Sequence, residues 1–125
     1  MILADTSIWV DHLRASNLQM ANLLNRGKIA MHPCIVAEVA LGSLKNRRQK
    51  LGAMDSLRKV RVAQMSEVRH MIEAHSLYSK GIGLTDAQLI ASCLLTPGTQ
   101  LWTRDLALQK AAKGVGVVFN PTHSA

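Results

Sequence analysis

The sequence reads as an α/β protein, a three-layer α/β/α sandwich around a central, mainly parallel sheet. Short apolar runs such as Ile2–Ala4 lack alternation of polar and apolar residues, the pattern of strands buried on both faces. These runs alternate with segments of helical period that carry their own start and stop signals. A length of 125 residues with 48% apolar side chains suits one domain over residues 1–125 with a substantial core.

Taken in order, the first strand, Ile2–Ala4, is followed by helices over residues 7–14 and 18–25, the second closed by Gly27. A brief strand is expected at residues 28–31. Pro33 suits the first position of a helix whose apolar residues run to Leu44. Leu51, Met54 and Leu57 recur at helical spacing and predict a helix over residues 48–59. Residues 60–63 read as a strand, and Ser66 can cap a helix reaching Lys80. Thr85 and Gln88 match a capping box for a helix that runs to Leu95, where Pro97-Gly98 stops it. A strand at residues 101–102, a helix over 106–113 and a last strand at 115–119 complete the order. There are no repeats, low-complexity tracts or linkers.

Fifteen Lys and Arg against eight Asp and Glu give a net charge of +7, which suits a polyanionic partner. Cys34 and Cys93 sit in apolar helical patterns and read as small buried hydrophobes in a reducing compartment. Asp5 and Asp11 interrupt any signal-peptide core, and no apolar run is long enough to span a bilayer. A cytoplasmic protein without membrane contact is expected.

With only eight carboxylates, each can be asked for its partner. Four have a basic residue at helical spacing: Asp11 with Arg14, Asp55 with Arg58 and Lys59, Glu67 with His70, and Glu73 with Arg69. The other four have none. Glu38 is flanked at three and four positions by Cys34, Ile35, Leu41 and Gly42, an apolar face. Asp86 has Gly83, Leu89 and Ile90 there, and Asp105 has Leu108 and Gln109. Asp5 directly follows the first strand. Each aspartate also has a plain helix-start role: Asp5 as a cap, Asp86 and Asp105 as first-turn acids. Ligands in parallel α/β folds bind beyond the carboxyl ends of the strands, where one crevice can collect all four acids. An oxygen-only donor set with no His or Cys selects Mg²⁺ or Mn²⁺ over zinc. Such ions lower the pKa of bound water and, in pairs ~3.5–4 Å apart, clamp an in-line phosphodiester displacement.

Four stretches, MILADTSIWVDHL, HPCIVAEVALGSL, GIGLTDAQLIASCLL and LWTRDLAL, resemble in order and spacing the PIN-domain ribonucleases, specifically the VapC-type toxins of toxin–antitoxin pairs. The resemblance covers nearly the whole chain. It implies a parallel-sheet PIN fold, Mg²⁺- or Mn²⁺-dependent endoribonuclease activity, a homodimer, and a cognate VapB-like antitoxin that masks the site. Carried over by position, Asp5, Glu38, Asp86 and Asp105 are the catalytic, metal-binding quartet. Thr6 or Ser7 would assist water or metal, and Asn120 would lie at the pocket rim. In the basic run KNRRQK, Lys45, Arg47, Arg48 and Lys50 read either as RNA-backbone contacts or as a solvated helix junction. Arg104 either reaches a phosphate or sits at the surface. Trp9 and Trp102 offer base-stacking faces, although a Trp in a strand reads first as core. His70 and His75, five apart, do not share a helix face.

Two other classes fit less well. A haloacid-dehalogenase-like phosphatase also ends its first strand in Asp but requires a second Asp two residues on, where this chain has Ser7. A non-catalytic nucleic-acid-binding or regulatory protein would show a basic recognition helix, whereas the basic residues here are dispersed and the four acids would go unexplained.

Overall fold

The computed structural model describes residues 1–121. Its sheet has three parallel strands, β1 (Ile2–Ala4), β2 (Ile29–Ala30) and β3 (Gln100–Trp102), in the order β2-β1-β3. Every residue of β1 and β2 is buried. Successive strand residues point to opposite faces, so helices cover the sheet on both sides, as a three-layer sandwich requires. The described residues form seven helices: α1 (Thr6–Ala15), α2 (Leu18–Asn25), α3 (Pro33–Ala40), α4 (Arg47–Asp55), α5 (Met65–Ala74), α6 (Leu84–Leu95) and α7 (Leu106–Gly114). α1 packs on α3, α3 on α4, and α5 on α6. Leu3, Ile8, Ile35, Ile90, Leu101 and Leu108 are fully buried in one continuous apolar cluster. At about 1.5–3 kcal/mol for each such side chain, this cluster holds the strand ends rigid.

Several boundaries differ from expectation, each for a local reason. The strands expected at residues 60–63 and 115–119 reduce to single parallel bridges, Met31 with Lys59 and Leu101 with Val118. Val60 N–H still donates to Met31 O, but Arg61 N–H turns to the Thr96 hydroxyl, which ends that ladder. α3 ends at Ala40, not Leu44, because the Arg47 guanidinium takes the carbonyls of Ala40 and Gly42. α5 stops at Ala74, and Ser76 and Ser79 have φ of 52° and 58°, left-handed backbone that no helix to Lys80 accommodates. The N-cap of α5 is Gln64, whose N–H donates to Glu67, and not Ser66. In α6 the first-turn acceptor is Asp86, which takes the Gly83 N–H, and Thr85 and Gln88 form no box.

Candidate active site

The three strands run parallel, so their carboxyl ends share one edge of the sheet, and the chain places polar residues there. Asp5 follows β1 and is 7% exposed; Thr103 follows β3 and is 3% exposed. Asp5 N–H donates to Trp102 O at 2.9 Å, which continues the β1–β3 register and sets Asp5 level with Thr103. The Thr103 hydroxyl donates to Asp5 Oδ2 and accepts the Asp105 N–H at 3.0 Å. Gln109 Nε2 holds the Thr103 carbonyl at 2.7 Å. Asp5 Oδ1 accepts from the Ser7 N–H at 3.0 Å, the Ser7 hydroxyl at 2.5 Å and the Ile8 N–H at 3.3 Å. Asp5 thus caps α1, the helix-start role read from the sequence, and it also lies at the carboxyl edge of the sheet.

The other three acids come from three helices. Glu38, in α3, is exposed and does not lie on the apolar face its neighbours suggested; its Oε1 accepts the Thr6 hydroxyl at 2.7 Å. Asp105 caps α7 by accepting the Leu108 N–H at 3.1 Å. Asp86 is half-buried, with Oδ2 on the Gly83 N–H at 3.3 Å. Burial pushes the Asp86 carboxyl up, the Gly83 N–H holds it down, and Asp105, Asp5 and Glu38 each push it up further. Asp105, Asp5 and Glu38 thus all lie near enough to Asp86 to oppose its charge. None of the four is in an ion pair among the described residues.

Further bonds belt these elements. The Cys34 thiol donates to Gln88 Oε1 at 3.1 Å and ties α3 to α6, while burial and then Glu38 raise that thiol. Arg104 pairs with Asp11 of α1, so Asp11 finds its cation across the fold and not at Arg14. His32, 1% exposed, caps α3 through Nδ1, which accepts the Cys34 N–H at 3.0 Å. Thr103 and His32 were not given a role from sequence, and Gln88 was read only as a capping partner for Thr85. Thr103 left a trace there, since ADTS and WTRD each follow a strand with a hydroxyl and an acid, in opposite order.

Of the remaining predicted residues, Thr6 holds Glu38 and Ser7 holds Asp5. Asn120 is exposed two residues past Val118, the residue that bridges to β3. Lys45 and Lys50 line a groove that includes Glu38, and Arg48 is exposed. Trp9 and Trp102 are buried, Trp102 edge-on to Phe119 at 5.5 Å, so neither offers a face to a base.

The donors suit a hard divalent ion, being carboxylate oxygens with hydroxyls beside them and no His or Cys. Among the described residues no three Asp, Glu, His or Cys groups are drawn close enough to enclose one ion. That spacing leaves room for a divalent ion that keeps several of its waters and is held through one or two carboxylates, not by a closed protein cage.

A PIN-domain family model matches residues 2–114, from the first residue of β1 to the last of α7. Ribonuclease VapC32 of Mycobacterium tuberculosis is 38% identical over 119 residues, 95% of this chain and 96% of the relative, in strain CDC 1551 / Oshkosh and equally in strain H37Rv. With every strand and helix inside the family model and a relative aligned almost end to end, the chain belongs to the PIN-domain family, in its VapC branch.

Proposed function

We propose that the chain is the toxin of a type II toxin–antitoxin pair, an endoribonuclease that hydrolyses RNA phosphodiester bonds at Asp5, Glu38, Asp86 and Asp105. The observation that carries this reading is the carboxyl edge of the sheet, where the Thr103 hydroxyl donates to Asp5 and accepts the Asp105 N–H, and where none of the four acids has an ion-paired cation among the described residues. Uncompensated clustered charge is costly, and it persists where a bound cation balances it. Mg²⁺ or Mn²⁺ bound by these four residues would supply an activated water and charge neutralisation at the phosphate. The chain's own part is to hold the acids: Thr103 fixes Asp5, Thr6 fixes Glu38, and Gly83 and Leu108 N–H groups fix Asp86 and Asp105. Exposed Lys45 and Arg48, with Lys50, supply backbone contacts to the substrate, whereas the Arg47 guanidinium is committed to α3 and Arg104 to Asp11.

Leu41, Leu84 and Leu106 are exposed beside Glu38, Asp86 and Asp105. Exposed apolar side chains so close in sequence to three of the acids support masking by a VapB-like antitoxin that inserts a cation. A single domain over residues 1–125, a homodimer and a cytoplasmic location complete the proposal; light scattering and cell fractionation test the last two. The continuous core supports the first, and among the described residues no helix is long and apolar enough to cross a membrane.

The test is RNA cleavage by the purified protein with Mg²⁺ or Mn²⁺, and its arrest by EDTA. Asp5→Asn, Glu38→Gln, Asp86→Asn and Asp105→Asn each lose about 100-fold or more, the usual cost of one preorganised electrostatic group. Asp55→Asn, outside the cluster, keeps the wild-type rate. Cleavage that persists in EDTA would sink the metal-dependent reading.

A further inference from the structure

A groove of about 490 Å³ runs between α1 and the turn that joins α3 to α4, and Glu38 forms part of its wall. Arg14, Lys45 and Lys50 bring three cations to it, over apolar Val10, Leu13 and Leu44. None of the three is ion-paired among the described residues, although Glu38 lines the same groove. The groove is therefore continuous with the acidic pocket yet opposite in sign, and its volume falls in the range of sites that take one small ligand, ~300–1,000 Å³.

We propose that this groove seats the RNA strand beside the scissile bond, its phosphates against Arg14, Lys45 and Lys50 and a base against the apolar floor; the proposal rests on the ribonuclease reading above. Phosphates satisfy three cations that lack carboxylate partners, and the base covers apolar surface that is otherwise wet. A partner's peptide is the rival occupant. It would bring a cation to Glu38 but would set it among three like charges, so charge complementarity favours RNA. Acid pocket and basic groove then divide the work: the first acts on one phosphate, the second fixes which phosphate that is. Arg14 enters this set from a helix that the basic run KNRRQK does not include.

The test compares two charge-matched triple variants of the full chain. One is Arg14→Gln/Lys45→Gln/Lys50→Gln. The other is Arg26→Gln/Lys28→Gln/Lys113→Gln, which removes three exposed cations at the amino end of β2 and in the last turn of α7. Both are measured for thermal stability, for KM and kcat on a single-stranded RNA, and for anisotropy binding of a short labelled RNA in EDTA. The groove variant raises KM about tenfold or more with kcat within about twofold, and its log K against log salt slope is shallower by about 2, three single-strand contacts at ~0.7 each. The distal variant changes neither. Equal effects in the two variants, or an unchanged KM and slope in the groove variant, overturn the proposal. So does a groove variant that cuts RNA normally but no longer binds the antitoxin, which hands the groove to a peptide. If wild type cuts no RNA, the ribonuclease reading fails by itself, and the EDTA binding arm still reads the groove.

Discussion

The hydroxyl of Thr103 donates to the carboxylate of Asp5, a residue 98 positions earlier in the chain. The same oxygen accepts the backbone N–H of Asp105, so one buried hydroxyl joins two acids of the pocket and spends its single proton on the nearer one.

Thr103→Val keeps the shape and removes both bonds. The buried Asp5 Oδ2 and Asp105 N–H are then left without that partner, which costs about 1–3 kcal/mol in a urea melt. Cleavage slows by about tenfold or more, because small displacements of a catalytic group are expensive. Thr103→Ser restores both. A valine variant as stable and active as wild type would show that the hydroxyl carries neither role.

His32 predicts an acid-side loss of stability. Burial lowers its pKa from the ordinary 6.5, and Nδ1 is already an acceptor of the Cys34 N–H, so protonation at that nitrogen breaks the α3 cap. A folded pKa below the unfolded one gives stability that is full above pH 6.5 and is lost as pH falls through the folded value. His32→Asn keeps a cap acceptor and flattens the fall in stability below pH 6.5, while His32→Ala costs about 0.5–2 kcal/mol above pH 6.5 and less in acid, where the wild-type cap is itself lost. Denaturant midpoints on either side of that pH check both.

Asp86 carries opposed demands, since its Gly83 bond favours the charge that burial and three acids oppose. Opposition leads, and Asp86→Asn therefore melts higher than wild type in EDTA at neutral pH while losing activity, a trade of stability for function. A lower melting temperature would mean that the helix-start role of Asp86 outweighs the repulsion.

At the alkaline end the reporter is Cys93, buried in α6, where burial pushes the thiol up to about 12. A raised folded pKa gives stability that is present below the unfolded value, near 9, and disappears toward 12. Iodoacetamide at pH 8 should leave Cys93 unmodified until the protein unfolds. Cys93→Ala should remove the part of the alkaline loss that falls between those values.

What could be read from the sequence was whatever one element displays by itself. The unbroken apolar run Ile2–Ala4 and the capped segment Leu18–Asn25 were legible at their observed bounds. The four quartet acids stood out because their own helices offered no cation. What stayed hidden was settled between distant elements. Asp11 seemed to belong to Arg14, but its cation is Arg104, 93 residues away. Gln88 looked like a capping partner for Thr85, and the fold spends it on Cys34. The two edge strands carried the right residues, yet Arg61 had a better acceptor in Thr96, and propensity yields to such a bond.

The Thr103–Asp5 bond also sets an order in time. Translation makes Asp5 and Glu38 early, Asp86 much later, and Thr103 and Asp105 within the last stretch to join the sheet. A growing chain therefore holds half a pocket whose first carboxylate lacks the hydroxyl that fixes it. That bond forms only when the segment after α6 docks beside β1, so a chain interrupted before Thr103 lacks both the bond and Asp105.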